Sequence, residues 1–340
     1  MSRSSFVLDL AAIRHNARTL RAAADGAELW AVVKADGYGH GAADVSRAAL
    51  DAGATALCVA SVAEGLALRP SVPDARVIVL GPTEADDVRE AHEGGLELVV
   101  GDGPIPDNVP VHLKLDTGMG RWGAAELAVP APGRNVVGLM SHLASAESDP
   151  EFTRLQIERF RTATNGQPGL TRHLANSAGT LGYPAARLDA VRCGIALYGI
   201  SPFGDDPAAH GLRPALRWES RLAQVKLLGA GESTGYGRRF VAASPTWIGL
   251  VPVGYADGFR RDMSGTDVLV GSDRCRVVGT VSMDAFAVEL PAERPAGERV
   301  TILGDGVLAE EHARVAETIA YELVCGLRTG WPRAQREVVG

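Results

Sequence analysis

Between residues 30 and 197, eight short, nearly unbroken apolar runs recur, at residues 30–34, 57–60, 77–80, 96–100, 111–116, 136–142, 172–176 and 191–197. Most lead into a stretch of helical pattern, such as residues 41–50, 84–92, 151–162 or 177–187. A strand that is apolar on both faces must be covered on both, which is the condition of a parallel sheet wrapped by helices. Eight such strands alternating with helices is the count for a (β/α)8 TIM barrel; a doubly wound sheet uses fewer strands per domain and ranks second. Ahead of the first run, residues 9–24 read as an extra helix with Leu10, Ile13, Ala17 and Leu20 on one face. After about residue 213 the texture changes. Residues 218–228, 246–253, 267–270, 276–290 and 299–303 read as β-strands joined by Gly, Pro and Asp turns. A helix over residues 310–325, with Val315, Ile319 and Leu323 stacked at i, i+4, closes that part. The expected organisation is therefore α/β: a barrel over residues 1–213 and a C-terminal all-β domain over residues 214–340.

Charge and cysteine usage remove whole classes of function. A net charge of −7, with no dense run of Lys and Arg, provides no electrostatic footprint for nucleic acid or an anionic membrane. No apolar run approaches a membrane span, and the amino terminus lacks the apolar core of a secretion signal. The four cysteines, Cys58, Cys193, Cys275 and Cys325, are scattered, which suits reduced thiols in a cytoplasm better than bridges or a zinc site. The expectation is a cytoplasmic protein without a metal.

Lysine is rare here: Lys34, Lys114 and Lys226 are the only three among 34 Lys and Arg residues. Where charge alone is wanted arginine serves, but only an amine with an accessible neutral form attacks a carbonyl. Lys34 ends the run Trp30-Ala31-Val32-Val33, ahead of Ala35-Asp36-Gly37-Tyr38-Gly39-His40-Gly41. Three readings of this stretch are open. Lys34 is a snorkelling residue before an ordinary turn. Alternatively, Gly37, Gly39 and Ala42 form a dinucleotide fingerprint, with Glu64 as its downstream acid. The third reading is a pyridoxal-phosphate lysine with phosphate held nearby. Further polar groups stand at the ends of the other runs: Lys114 and Asp116, His142, Asn176 and Ser177, and Arg192 with Gly194 and Ile195. In a barrel those ends form one face, where active sites lie.

With these pieces in order, the chain resembles the alanine racemase family. The resemblance is carried by residues 31–41, by Leu113-Lys114-Leu115-Asp116-Thr117-Gly118-Met119-Gly120-Arg121, by Ser141-His142 and Asn176-Ser177, and by residues 192–199. It continues in Gly235-Tyr236-Gly237, Gly254-Tyr255-Ala256-Asp257-Gly258 and Ser282-Met283-Asp284. It implies a pyridoxal 5′-phosphate enzyme in which Lys34 carries the cofactor and acts as one base, with Tyr236 as the second on the opposite face. Racemisation needs two such groups, since the proton leaves one face of Cα and returns to the other. By resemblance, His142 and Arg121 form the cationic surroundings of Tyr236. Arg192 faces the cofactor's ring nitrogen; a guanidinium does not release its proton, so that nitrogen stays unprotonated. Tyr38, Asn176, Ser177, Gly194 and Ile195 surround the cofactor, chiefly its phosphate. Tyr255, Met283 and Asp284, with Arg121, line the substrate entry. Lys114 is either a carbamate that steers Arg121 or a plain barrel lysine paired with an acid. A head-to-tail homodimer follows by the same resemblance, the β-domain of one subunit capping the site of the other.

One departure bears on substrate. Where the family has a tyrosine near the cofactor phosphate, Leu327-Arg328-Thr329-Gly330-Trp331-Pro332-Arg333 places Thr329. A threonine leaves room for a side chain larger than methyl, so serine or a broader amino-acid range competes with alanine. A pyridoxal-phosphate decarboxylase calls for an acid in place of Arg192 and a cysteine in the capping domain. A carrier without turnover lacks the β-domain. A dinucleotide-dependent oxidoreductase rests on the glycine pattern alone, and a non-catalytic homologue would have little use for Lys34, Tyr236 and Arg192 together.

Overall fold

A computed structural model describes residues 3–127, 135–304 and 306–340. Two compact units divide the chain. The larger, Ile13–Phe203 with Pro207–Arg213, is a closed barrel of eight parallel strands. In chain order these are Glu28–Val32, Ala56–Val59, Val77–Val79, Glu97–Val100, Val111–Lys114, Val136–Met140, Thr171–His173 and Ala190–Cys193. Each pairs with the next, and the last pairs back onto the first with Trp30 opposite Arg192. The eight apolar runs are these eight strands. Seven of the eight strands stop one to four residues short of their apolar runs, and the fourth, Glu97–Val100, reaches the end of its run. Residues 33–34, 115–116, 141–142, 174–176 and 194–197 lie just past the last paired residue, which frees their side chains for the barrel mouth. Side-chain caps fix the starts of the connecting helices: Ser61 Oγ accepts from the Glu64 amide, and Asp149 accepts from the Phe152 amide with Pro150 at the first turn.

The second unit groups Pro214–Gly340 with Gly204–Asp206 and Met1–Ala12. The expected division at residue 213 is therefore corrected at the amino terminus. Strand Ser5–Asp9 pairs antiparallel with Leu216–Arg221 and parallel with Gln335–Val339, so the first residues complete the β-unit. Its nine-stranded sheet runs Gln224–Leu228, Thr246–Val251, Phe286–Leu290, Asp273–Val278, Asp267–Val270, Arg299–Leu303, Leu216–Arg221, Ser5–Asp9 and Gln335–Val339. Aromatic stacking seats its core, Phe6 on Trp218 at 4.9 Å and Phe259 on Phe286 at 4.3 Å between centroids. The helix expected over residues 310–325 is two, Ala309–Val315 and Ala320–Cys325. Glu317 takes φ 50°, which breaks the helical path, and Ile319 is 61% exposed rather than stacked on Val315 and Leu323. Among the described residues no helix is long and apolar enough to cross a membrane.

Candidate active site

The first barrel strand hands the chain to an unusual turn. The Val33 amide still bonds to the Cys58 carbonyl at 2.8 Å; after Lys34, residues Ala35, Asp36, Gly37 and Tyr38 take φ of 52°, 50°, 61° and 53°. Three of these are not glycine, and each left-handed L-residue costs roughly 1–2 kcal/mol. Local bonds hold the turn in place. Glu64 accepts from the Ala35 amide at 2.9 Å and from the Ala60 amide at 2.7 Å, and Asp36 Oδ1 accepts from the Ala42 amide at 2.8 Å. A Cβ on Gly37 would lie 3.1 Å from the Ala42 nitrogen, so that glycine serves the turn's closure. The dinucleotide reading therefore loses both supports: the glycines shape a left-handed turn, and Glu64 braces it.

Tyr38 lands against the last barrel strand, its ring stacked on Tyr198 at 5.0 Å. A Cβ on Gly194 would lie 2.4 Å from the Tyr38 hydroxyl oxygen, so only glycine admits the phenol there. Ser177 Oγ accepts from the Gly194 amide at 3.1 Å and the Ala196 amide at 3.4 Å. Ile195 begins the short 3-10 turn Ile195–Tyr198 that follows. These groups form a small polar cradle of hydroxyls and backbone N–H between adjacent strand ends, the chemistry that suits a phosphate. Asn176, expected beside it, caps the Ser177–Gly182 helix by accepting from the Gly179 amide.

The neighbouring strand ends carry a cluster of cations. Arg192 is buried and donates to His173 Nδ1 at 2.8 Å, the Ser141 carbonyl at 2.8 Å, the Leu174 carbonyl at 3.2 Å and His142 Nδ1 at 3.2 Å. Burial lowers its pKa to about 10, which leaves it charged at neutral pH. Lys114, also buried, is lowered to about 8 by desolvation and then by Arg121 and Arg192. Its Nζ donates to the Arg121 carbonyl at 3.3 Å, and both Lys114 and Arg121 lie over the Trp122 ring, at 5.5 and 5.2 Å. Asp116 holds the Arg121 loop by accepting from the amides of Gly118, Met119 and Gly120. His142 is pushed well below its usual range by desolvation, then by Arg192, Arg121, Lys114 and Lys34. The expectation of a cationic His142 is corrected: the ring is neutral, it accepts at Nδ1 from Arg192, and it has an N–H to offer at Nε2.

The remaining expected residues belong to the β-unit. Tyr236 is 73% exposed on a turn between Gly235 and Gly237, both at positive φ, with its carbonyl accepting from Thr280 Oγ1 at 3.0 Å. Tyr255 and Met283 stand on interlocked loops: the Tyr255 amide bonds to the Ser282 carbonyl and the Ala256 amide to the Met283 carbonyl, each at 3.1 Å. Arg333 clamps both, bonding Asp257 at 2.8 Å and Asp284 at 2.9 Å, while Arg3 also bonds Asp284 at 3.2 Å. The Arg328 amide bonds to the Asp257 carbonyl at 3.0 Å and brings the half-buried Thr329 to the same loops.

Sequence reasoning missed Glu97, His112 and His173, which stand behind Arg192. The signal was present. In Val111-His112-Leu113-Lys114 polar residues alternate on one face of a barrel strand, and a polar residue pointing into a barrel needs a partner there.

Comparison with known proteins covers nearly the whole chain. Residues 8–202 match the family described as alanine racemase, N-terminal domain, and residues 215–335 that described as alanine racemase, C-terminal domain. The alanine racemase of Beutenbergia cavernae is 42% identical over 98% of this chain and 97% of its own. That of Symbiobacterium thermophilum is 40% identical over 96% of this chain and 95% of its own. The crystal structure of alanine racemase from D-cycloserine-producing Streptomyces lavendulae superposes with a TM-score of 0.90 at 36% identity, covering 100% of this chain and 98% of that one.

Proposed function

Because the chain belongs to the alanine racemase family, we propose that it interconverts L- and D-alanine with pyridoxal 5′-phosphate, moving a proton between the two faces of Cα. What supports the cofactor is the cradle at Gly194, where a Cβ would collide with the Tyr38 hydroxyl, next to the strand end that carries Lys34. Tyr38, Ser177 and the amides of Gly194 and Ile195 would hold the phosphate, with Asn176 fixing the helix that presents Ser177. Lys34 Nζ would form the covalent link, and Arg192 would meet the ring nitrogen. Bound there, the cofactor supplies the electron-withdrawing ring that acidifies the Cα–H.

The chain's own groups move the proton. Lys34 Nζ, freed from its covalent link when the substrate's amino group takes its place, would take or return it on one face, and the partner subunit's Tyr236 would do so on the other. Arg192, permanently a donor, keeps the ring nitrogen unprotonated, which favours prompt return of the proton over transamination. His142, neutral, offers an N–H toward the Tyr236 oxygen, and Arg121 adds a cation. The Met283 amide, Tyr255 and Asp284 bind and admit the amino acid. In this reading the β-unit, from about residue 214, caps the partner's barrel in a head-to-tail homodimer. Lys114, with a pKa near 8, takes up carbon dioxide as a carbamate that steers Arg121. The unbridged buried thiols Cys58, Cys193 and Cys275 fit a cytoplasmic enzyme, one that supplies D-alanine for cell-wall synthesis. Thr329 leaves room beside the phosphate, and serine is accepted as a second substrate.

The test is proton exchange: protein with pyridoxal phosphate in deuterated water, against single-enantiomer amino acids. Deuterium entering Cα of alanine together with the opposite enantiomer is expected, and Lys34→Ala should abolish both. A visible cofactor band without exchange makes the protein a non-catalytic homologue. Carbon dioxide release makes it a decarboxylase, and absence of any band overturns the assignment of Lys34.

A further inference from the structure

Behind Arg192 a file of polar side chains crosses the barrel interior, and the reaction above does not use it. Glu97 opens the fourth barrel strand, where its carboxylate accepts from Arg76 Nε at 2.9 Å and Nη2 at 3.0 Å. His112 Nε2 lies 2.8 Å from Glu97 Oε2, His112 Nδ1 lies 2.9 Å from His173 Nε2, and His173 Nδ1 lies 2.8 Å from Arg192 Nη1. Both imidazoles are wholly buried.

The protons in this file have only one consistent arrangement. Arg192 has no lone pair to offer, so His173 Nδ1 accepts and its proton sits on Nε2. That proton points at His112 Nδ1, which must accept, so the His112 proton sits on Nε2 and is donated to Glu97. The carboxylate at the other end demands the same direction. The packing is built around these rings: a Cβ on Gly138 would lie 2.1 Å from His112 Nδ1, and Trp30 packs on His112 at 5.6 Å and His173 at 4.5 Å. Desolvation lowers the pKa of both histidines, as the neutral forms require.

We propose that Glu97, His112 and His173 are positioning residues for Arg192: the carboxylate sets both tautomers, and the His173 acceptor sets the guanidinium's orientation at the cofactor's ring nitrogen. The proposal rests on the cofactor reading above. It commits Nη1 to His173 while the Ser141 and Leu174 carbonyls and His142 Nδ1 share Nη2. A carboxamide at 97 undoes this direction. Its N–H2 can donate to His112 Nε2, which sends both ring protons to Nδ1 and sets a His173 N–H against an Arg192 N–H.

Two measurements test this. In 15N-histidine-labelled protein without cofactor, His112 and His173 are expected as Nε2–H tautomers at neutral pH; an Nδ1–H tautomer or an imidazolium at either position overturns the proposal. In Glu97→Gln the Nδ1–H tautomers should appear, the visible band of the cofactor-loaded protein should move, and kcat should fall roughly tenfold with KM within about twofold. Glu97→Asp, which keeps the charge, should restore tautomers and band. Arg76→Met should cost stability while leaving both unchanged. If Glu97→Gln leaves tautomers and band as in the wild type, or if Glu97→Asp or Arg76→Met moves them as Glu97→Gln does, the file is only structural. Should Glu97→Gln fail to fold, the wild-type tautomers and Glu97→Asp still decide. A wild-type protein with no visible band at all overturns the cofactor reading instead, and the tautomers, read without cofactor, stand apart from it.

Discussion

At the scale of single residues, substrate choice turns on Thr329 and the state of Lys114 on its surroundings. Thr329→Tyr should lower the serine-to-alanine turnover ratio by roughly tenfold, the effect of closing a pocket by one side chain; an unchanged ratio would show that Thr329 does not bound the pocket. A lysine lowered to about 8 is partly neutral at physiological pH, and only the neutral amine adds carbon dioxide, releasing a proton as the N–C bond forms. With 13C-bicarbonate, a carbamate resonance should grow as pH rises through 8 and be absent in Lys114→Arg. The place of Lys34, Ser177 and Arg192 at or just past barrel strand ends was legible, because the apolar runs that carry them are short and bounded. The charge of His142 was not: four cations and burial, gathered from separate strands, decide that it is neutral.

At the scale of elements, the strands were read closely because their apolar runs are short and bounded, whereas the turn after Lys34 was not. Nothing local in Ala35-Asp36-Gly37-Tyr38 demands four left-handed residues; Glu64, from the helix that follows the second barrel strand, supplies a bond that holds them. The polar file makes a pH prediction. Glu97 titrates at about 2 in the fold against 4.5 ordinarily, through its bonds from His112 and Arg76, which outweigh desolvation. Its contribution, about 3 kcal/mol, is thus present above pH 4.5 and lost as pH falls toward 2. His112, His142 and His173 lie below 6.5 in the fold, so the unfolded chain protonates first and stability declines as pH drops below 6.5. The slope is about 1.4 kcal/mol per pH unit for each imidazole. Denaturant melts from pH 7.5 to 5 should show that decline, and Glu97→Gln should lack the acid limb below it. Gly138→Ala, whose methyl enters the space of His112 Nδ1, should lose about 1–3 kcal/mol in the same melts.

At the scale of the whole molecule, the proposed head-to-tail dimer has an arithmetic consequence. Lys34→Ala and Tyr236→Phe homodimers are each inactive in this reading, but a mixed dimer holds one intact pair of bases. Unfolding and refolding an equal mixture should restore about a quarter of wild-type activity; no recovery would place both bases in one subunit. The eight apolar runs and the change of texture near residue 213 were enough, by themselves, to determine a TIM barrel followed by β-strands. They could do so because periodicity and residue type are local properties. Tertiary structure alone decided that Ser5–Asp9 completes the β-unit, since its partners Leu216–Arg221 and Gln335–Val339 lie far along the chain. It alone decided that the glycines near Lys34 close a left-handed turn, and that Glu97, His112 and His173 meet behind Arg192. Those facts depend on atoms from separate strands coming within a hydrogen bond of each other, and no spacing along the sequence records that distance.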